Sequence, residues 1–281
     1  MEVLMMNVVI APSGFKESMS AEQTADAIAQ GVLRAYPEAH VVCAPLVDGG
    51  EGFTQTLIHA TGGELHPVTV TGPVGRPVEA HFGVMGGIGP RTAVLEMASA
   101  AGLRLVPRDQ RNPLATTSYG VGELIRAALS VQPQRILIGC GDSGINDGGA
   151  GMAQALGVSL LDARKREIWR GCSALSSLER IDLNGLERRL KGVHLDVACN
   201  PYNVLCGPNG VARVFGPQKG ATPVMVEAMS AAMERYAQVI EQQFGVDMRD
   251  FPGGGASGGL GTGLHVLLGA QLHSRYDIVM R

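Results

Sequence analysis

Arg135-Ile136-Leu137-Ile138-Gly139-Cys140-Gly141-Asp142-Ser143-Gly144-Ile145-Asn146-Asp147-Gly148-Gly149-Ala150-Gly151 decides how this 281-residue chain is read. Its first four residues form the short apolar run of a buried strand, and after Gly151 the apolar residues Met152, Ala155 and Leu156 recur at helical spacing. Strand, glycine-rich loop and helix, in that order, turn backbone N–H groups and a helix N-terminus toward an anion. Two polar pairs, Asp142-Ser143 and Asn146-Asp147, lie inside the glycine frame. That is the composition of a turn that holds something. A rival reading uses the same residues. Gly139-x-Gly141-x-x-Gly144 fits the dinucleotide fingerprint, and Asp162 after the next strand is placed to hold a ribose hydroxyl of NAD. The glycines continue to Gly151, which starts the helix late for that fingerprint. From the residues alone, a phosphate loop and a dinucleotide loop both stay open.

Outward from this loop the same pattern repeats. Val8-Val9-Ile10-Ala11 reads as a buried parallel strand closed by Pro12, and Ser20 with Gln23 forms a capping box for a helix ending before Pro37. A strand over Val41 to Ala44 completes a βαβ unit. It runs into Asp48-Gly49-Gly50-Glu51-Gly52 and a helix from Phe53 to about Ala60. Val68-Thr69-Val70-Thr71 and Val78 to Val84, joined through Gly72-Pro73, read as an antiparallel ribbon, which places a domain boundary near residue 65. Ala93-Val94-Leu95-Glu96 is a strand, and Thr116 to Gly120 is placed to cap a helix from Gly122 to Leu129. Val158 to Leu161 and His194 to Ala198 are further strands. A long helix runs from Pro223 to about Phe244. The glycine run from Pro252 to Gly263 opens a helix through Leu268, and Asp277 to Met280 reads as a last strand.

Composition narrows the classes. Hydrophobic residues make up 45% and charged residues 17%, the balance of a globular chain large enough to bury a core. The 39 glycines cluster at strand ends and lack collagen periodicity, which favours an α/β enzyme with backbone-lined loops. A net charge of −3 with no basic stripe argues against nucleic acid, and no apolar run approaches membrane-spanning length. Five scattered cysteines give neither a disulfide framework nor a zinc spacing, so a cytoplasmic setting is expected. Walker A and the protein-kinase signatures are absent.

Phosphoryl transfer needs amide donors, cations on the phosphate oxygens and a carboxylate for Mg2+ or the attacking hydroxyl. All three follow predicted strand ends here. Amides come from Gly148-Gly149 and from Gly253, Gly254, Gly255 and Ser257; cations are Lys16 and Lys219; carboxylates are Asp48, Glu51 and Asp147. Each has a plain structural reading too: a solvated loop lysine, an acid in the first turn of a helix, glycines for close helix packing.

Taken together the motifs resemble the bacterial glycerate kinase family of the type found in glyoxylate and glucarate breakdown. The matching residues are Ala11-Pro12 with Phe15-Lys16, Asp48 to Gly52, Val70-Thr71-Gly72-Pro73, Glu96-Met97-Ala98 and Thr116-Thr117-Ser118 with Gly120. Asn146 to Met152, Phe215 to Ala221 and Pro252 through Gly261 complete the match, which runs nearly end to end. The resemblance implies ATP- and Mg2+-dependent phosphorylation of D-glycerate to 2-phosphoglycerate. It implies two α/β domains with the site in their cleft, one a discontinuous Rossmann-like domain and the other a mixed-sheet domain. The expected division is 1–64, 65–255 and a return segment, 256–281. Carried over by position, Lys16, Asp48, Asp147 and Lys219 are expected to be catalytic. Ser143, Asn146, Gly148, Gly149, Asn200, Gly253, Gly254, Gly255 and Ser257 are expected to bind substrate or nucleotide, and Asp48 and Glu51 to hold metal. A homo-oligomer is compatible with the resemblance.

The chain departs from the family pattern at three loops. Ser13-Gly14 stands where the family has Asp-Ser, and Asp142, Gly144 and Ile145 stand for Gly, Ala and Thr. Asn200-Pro201-Tyr202-Asn203 replaces a segment carrying Asp and Thr. The chain also stops before a C-terminal family segment, so a truncated relative that binds glycerate or nucleotide without catalysis is the alternative.

Overall fold

The computed structural model describes residues 6–15, 18–46 and 49–279. Ten strands lie within them: β1 (Asn7–Ile10), β2 (His40–Cys43), β3 (Glu64–Thr71), β4 (Pro77–Val84), β5 (Thr92–Glu96), β6 (Arg135–Gly139), β7 (Ser159–Leu161), β8 (Arg180–Asp182), β9 (His194–Cys199) and β10 (Gln271–Ser274). Six of them form one mixed sheet in the order β10-β9-β6-β5-β4-β3. Its centre, β5-β6-β9, is parallel, and β4 and β3 extend it as the antiparallel ribbon expected from the sequence.

Central parallel strands are covered on both faces and must be apolar throughout. Ala93, Val94 and Leu95 of β5 are fully buried. On one face Val94, Leu137 and Ala198 pack against Phe53 at the start of α2 (Phe53–Thr61). On the other, Leu95, Ile136 and Ile138 meet Val121, Leu124 and Ile125 beyond a short helix α3 (Ala98–Ala101), on α4 (Tyr119–Ala128). The helix α5 (Ala150–Ala155) approaches α4 closely because Gly122 lacks a side chain; a Cβ there would lie 2.3 Å from the Met152 carbonyl. A second core gathers Met229, Met233, Tyr236 and Ile240 of a long helix around Cys172, Leu175 and Leu178. That helix, α7 (Pro223–Phe244), follows a short α6 (Val211–Phe215); the Thr222 hydroxyl caps it by accepting from Met225 N, and Gly245 closes it at φ 70°.

The first βαβ unit stands beside this sheet. β1 and β2 pair in parallel as a separate two-stranded sheet under α1 (Ala21–Ala35), whose Ser20–Gln23 capping box forms as the sequence predicts. The strand expected to be buried is exposed at Val9, 68% open, because α1 covers one face and, among the described residues, the sheet has two strands. α2 precedes residue 65 yet packs on the large sheet. In the segment after 255, β10 runs parallel to β9 and does not pair with β1 or β2.

Two local expectations are corrected. The last strand is Gln271–Ser274, where pairing with β9 and the His273 Nε2 contact to Asp196 (2.7 Å) fix it; Arg275–Val279 is helical, α9, so tertiary context overrides the β-branched pattern. The 252–263 glycine run opens α8 (Ala256–Thr262), and inside it Ser257, Gly258 and Gly259 are left-handed, followed by a π-helical turn, Gly263–Leu267.

Candidate active site

The parallel strands β5, β6 and β9 end together at Glu96, Gly139 and Cys199, and the loops that follow meet there, as expected at the carboxyl ends of an open α/β sheet. The loop before α2 lies across these ends. Gly49 (φ 84°) sits so close that a Cβ would be 2.9 Å from the Ala198 carbonyl, so only glycine fits.

Lys219 reaches into this region from the turn after α6. Its side chain is 2% exposed, and its ammonium donates to Ser143 Oγ (3.0 Å) and to the Ile145 carbonyl (2.5 Å). Burying a lysine demands such partners, and both come from the central loop. Asp142 in that loop is left-handed (φ 50°), a conformation that Asp tolerates better than most residues. Its Oδ2 accepts from Glu51 N (3.1 Å) and its carbonyl accepts from Leu103 N (2.8 Å).

Two adjoining cavities share Asp142. The larger, about 440 Å³, runs from Phe15, Met19 and Leu46 of the small unit to Glu51, Glu96 and Arg104 of the large sheet. The smaller, about 150 Å³, is lined by Ser143, Lys219, Asn200, Asn203, Ser257 and Arg275. Four of the expected binding or catalytic residues, Ser143, Asn200, Ser257 and Lys219, are therefore brought together in one place. Glu51 faces the larger cavity, where its carboxylate pairs with Arg104 (3.1 Å). Lys16 and Asp48 lie outside the described residues.

Other expected site residues are placed differently. Asp147 is fully buried and lines neither cavity among the described residues. Its carboxylate accepts from Ser118 N (2.7 Å), Ser118 Oγ (2.9 Å), Thr117 Oγ1, Gly149 N and Gly151 N, binding the central loop to the start of α4. Burial pushes its carboxyl above the usual range, and these donors oppose the shift. Ser118 does not cap α4 with its side chain; its hydroxyl is used on Asp147 and accepts from Met152 N (2.9 Å). Asn146 is fully buried beside Asp147, and among the described residues neither end of its amide has a partner within hydrogen-bond geometry. Gly148 and Gly149 are left-handed (φ 65° and 79°), with Gly148 N donating to the Gly258 carbonyl. Gly253 and Gly255 serve close packing: a Cβ would lie 2.8 Å from Cys199 Sγ at the first and 2.1 Å from the Val204 carbonyl at the second. Gly254 stands between them, its carbonyl accepting from Thr262 Oγ1. Asp162 accepts from Arg164 N, Arg166 N and the Arg166 guanidinium within its own turn, which occupies the acid that a ribose would need.

Glu96, Arg104, Asn203 and Arg275 are cavity residues that the sequence reading did not single out as a site. Glu96 ends a strand, the same signal that drew attention to the glycine loops. It is 2% exposed, and its two oxygens accept from Gly52 N (3.2 Å) and Thr54 N (2.9 Å) at the start of α2. Burial raises its carboxyl to about 7 despite those donors. Asn203 lies in the loop after β9 that the sequence reading flagged through Asn200, while Arg104 and Arg275 carry no local signal and only the fold brings them to the strand ends.

Known proteins share this architecture. The model of the "Glycerate kinase family" matches residues 8–281. A glycerate kinase of Bacillus subtilis (strain 168) is 50% identical over 275 residues, which is 98% of this chain and 72% of that protein. A glycerate 2-kinase of Escherichia coli (strain K12) is 47% identical over 98% of this chain and 71% of its own length. The crystal structure of a Salmonella typhimurium LT2 protein described as a glycerate kinase 2 superposes with a TM-score of 0.82 at 48% identity, covering 98% of this chain and 73% of that one. With a family model spanning all but its first seven residues, this chain belongs to the glycerate kinase family.

Proposed function

We propose that this chain phosphorylates D-glycerate on its 2-hydroxyl, with ATP as donor, giving 2-phosphoglycerate and ADP. The observation that carries this reading is the pair of cavities meeting at Asp142, one of them walled by the buried ammonium of Lys219. A two-substrate transfer needs adjoining sites, and charge developing at the junction needs a cation already in place. Lys219, held by Ser143 and Ile145, meets that need without reorganising. The E. coli relative, named a glycerate 2-kinase, supports the choice of hydroxyl.

Among the described residues, no three His, Cys, Asp or Glu side chains form a metal cluster. Nucleotide-borne Mg2+ uses one or two carboxylates besides phosphate oxygens and water, and Asp142 and Glu51 are the described carboxylates that would hold it. Bound there, it would neutralise phosphate charge. The chain's own residues do the rest: Lys219 supplies fixed positive charge, Asp147 holds the central loop in register with α4, and Glu96 fixes the start of α2.

The test is D-glycerate-dependent release of ADP from Mg-ATP by the purified chain, with the phosphorylated product identified by NMR. Turnover giving the 2-phosphate confirms the reading. A cooperatively melting protein that releases no ADP is instead the non-catalytic relative that the altered loops at Ser13 and Asn200 suggest.

A further inference from the structure

We propose that Asp196 and His273 lock the register of β10 against β9, and that this lock positions Arg275 at the wall of the smaller cavity. The positioning rests on the kinase reading above; the lock itself does not.

Asp196 is out of place in a central strand. It shares a face of β9 with Ala198 and stands opposite Leu137 of β6, where apolar side chains are the rule. It is 2% exposed and yet charged. Burial alone would raise its carboxyl, but hydrogen bonds from Arg135 and His273 and the charges of Arg135 and His194 hold it below the usual carboxylate range. A buried charge of this kind adds little net stability, and its best-attested use is to fix a register. Its partners come from three strands. Arg135 Nε of β6 donates to Oδ2 (2.6 Å), while Oδ1 faces His194 Nε2 of β9 itself (3.3 Å) and His273 Nε2 of β10 (2.7 Å).

β10 is a strand whose register needs fixing. It has four residues and, among the described residues, one neighbouring strand. Gln271 is exposed, while Leu272, His273 and Ser274 are half-buried, and Leu272 packs against the main core. A strand with so little buried pattern is weakly specified and can slip or fray. His265 holds the turn before it at the Ala270 carbonyl (2.8 Å), so the loose end is the far one. There Cys199 Sγ meets the His273 carbonyl (3.5 Å), and a thiol is a weak donor. A slip of two residues keeps each side chain on its face, moves the strand by about 6.6 Å and parts His273 from Asp196. The consequence falls on Arg275. It follows Ser274 directly, opens α9 and lines the smaller cavity with Lys219, Asn200 and Asn203. A displacement of that size takes its side chain away from a space of about 150 Å³.

Hydrogen exchange of the intact chain, followed by mass spectrometry over residues 271–275, tests the lock without requiring turnover. His273→Leu removes the bond and leaves Asp196 with Arg135 and His194; His273→Gln keeps a side-chain N–H to donate. Exchange over 271–275 is expected to quicken about tenfold in His273→Leu and to stay within about threefold of wild type in His273→Gln, with β5 and β6 unchanged in both. Equal exchange in wild type and His273→Leu, quickening spread equally over β5 and β6, or no rescue by His273→Gln overturns the lock. Turnover tests the positioning. The kcat/KM for D-glycerate at saturating Mg-ATP is expected to fall about tenfold in His273→Leu and in Arg275→Ala. The double variant is expected to match Arg275→Ala within about twofold, because His273 acts through Arg275. Losses that multiply to about 100-fold in the double variant, or an unchanged kcat/KM in His273→Leu, overturn the positioning. Where the wild type turns over no D-glycerate but the exchange pattern holds, the kinase reading falls and the lock stands.

Discussion

The ammonium of Lys219 lies 3.0 Å from the hydroxyl of Ser143, across 76 residues of sequence, and both are shielded from solvent. The cation is thus fixed by the loop that the sequence singled out first. Replacing Lys219 by Met keeps most of the buried volume and removes the charge. Turnover is expected to fall about 100- to 1,000-fold, the usual cost of losing one preorganised electrostatic donor, with a melting temperature near that of wild type. Full turnover in the Met variant would take Lys219 out of the chemistry.

Asp147 makes the opposite prediction. Its carboxylate satisfies three backbone N–H groups, those of Ser118, Gly149 and Gly151, besides two hydroxyls, so Asp147→Ala strands buried donors. A destabilisation of about 3–5 kcal/mol is expected from chemical denaturation. Loss of turnover with a stability change below about 1 kcal/mol would return Asp147 to the catalytic set.

Glu96 predicts a pH dependence. Its carboxyl is raised from 4.5 to about 7 in the folded chain, mainly by burial, so the folded state holds this proton more tightly than the unfolded state does. Its contribution to stability is complete below pH 4.5, declines as pH rises toward and through 7, and is lost above that. The loss is about 3 kcal/mol by linkage. Glu96→Gln has no such titration. The stability difference, wild type minus variant, is therefore expected to fall between pH 5 and 8, and a flat difference over that range would contradict the assignment.

Much of this was legible in the sequence because it depends on local pattern. The capping box at Ser20, the ribbon through Gly72-Pro73, the span of α7 and the central loop each follow from residues close together in the chain. The site was legible in part. Strand-end glycine loops pointed to Ser143, Asn200, Ser257 and Lys219, and these converge. The same pattern could not separate Asp147 from Asp142. Both are loop acids, and only tertiary packing turns one toward α4 and the other toward the cavities. Arg104 and Arg275 lie on segments with no distinctive spacing. The left-handed turn at Ser257 was hidden because a serine there departs from backbone preference, a conflict that tertiary contacts alone sustain.

That left-handed turn carries the last prediction. At Gly258 (φ 73°) a Cβ would lie 2.1 Å from the Ile145 carbonyl, the oxygen that accepts from Lys219 Nζ. Gly258→Ala must therefore displace this carbonyl or move the turn, and either change loosens the ammonium. Left-handed strain and the clash together are expected to cost about 2–4 kcal/mol, and turnover should fall with them. Gly75, in the turn between β3 and β4, is the control: it has a similar φ of 84° and open space around its Cβ position. Gly75→Ala is expected to cost about 1–2 kcal/mol from backbone strain alone and to leave kcat unchanged. If both variants lose the same stability and keep full turnover, the Ile145 carbonyl is not what holds Lys219 in place.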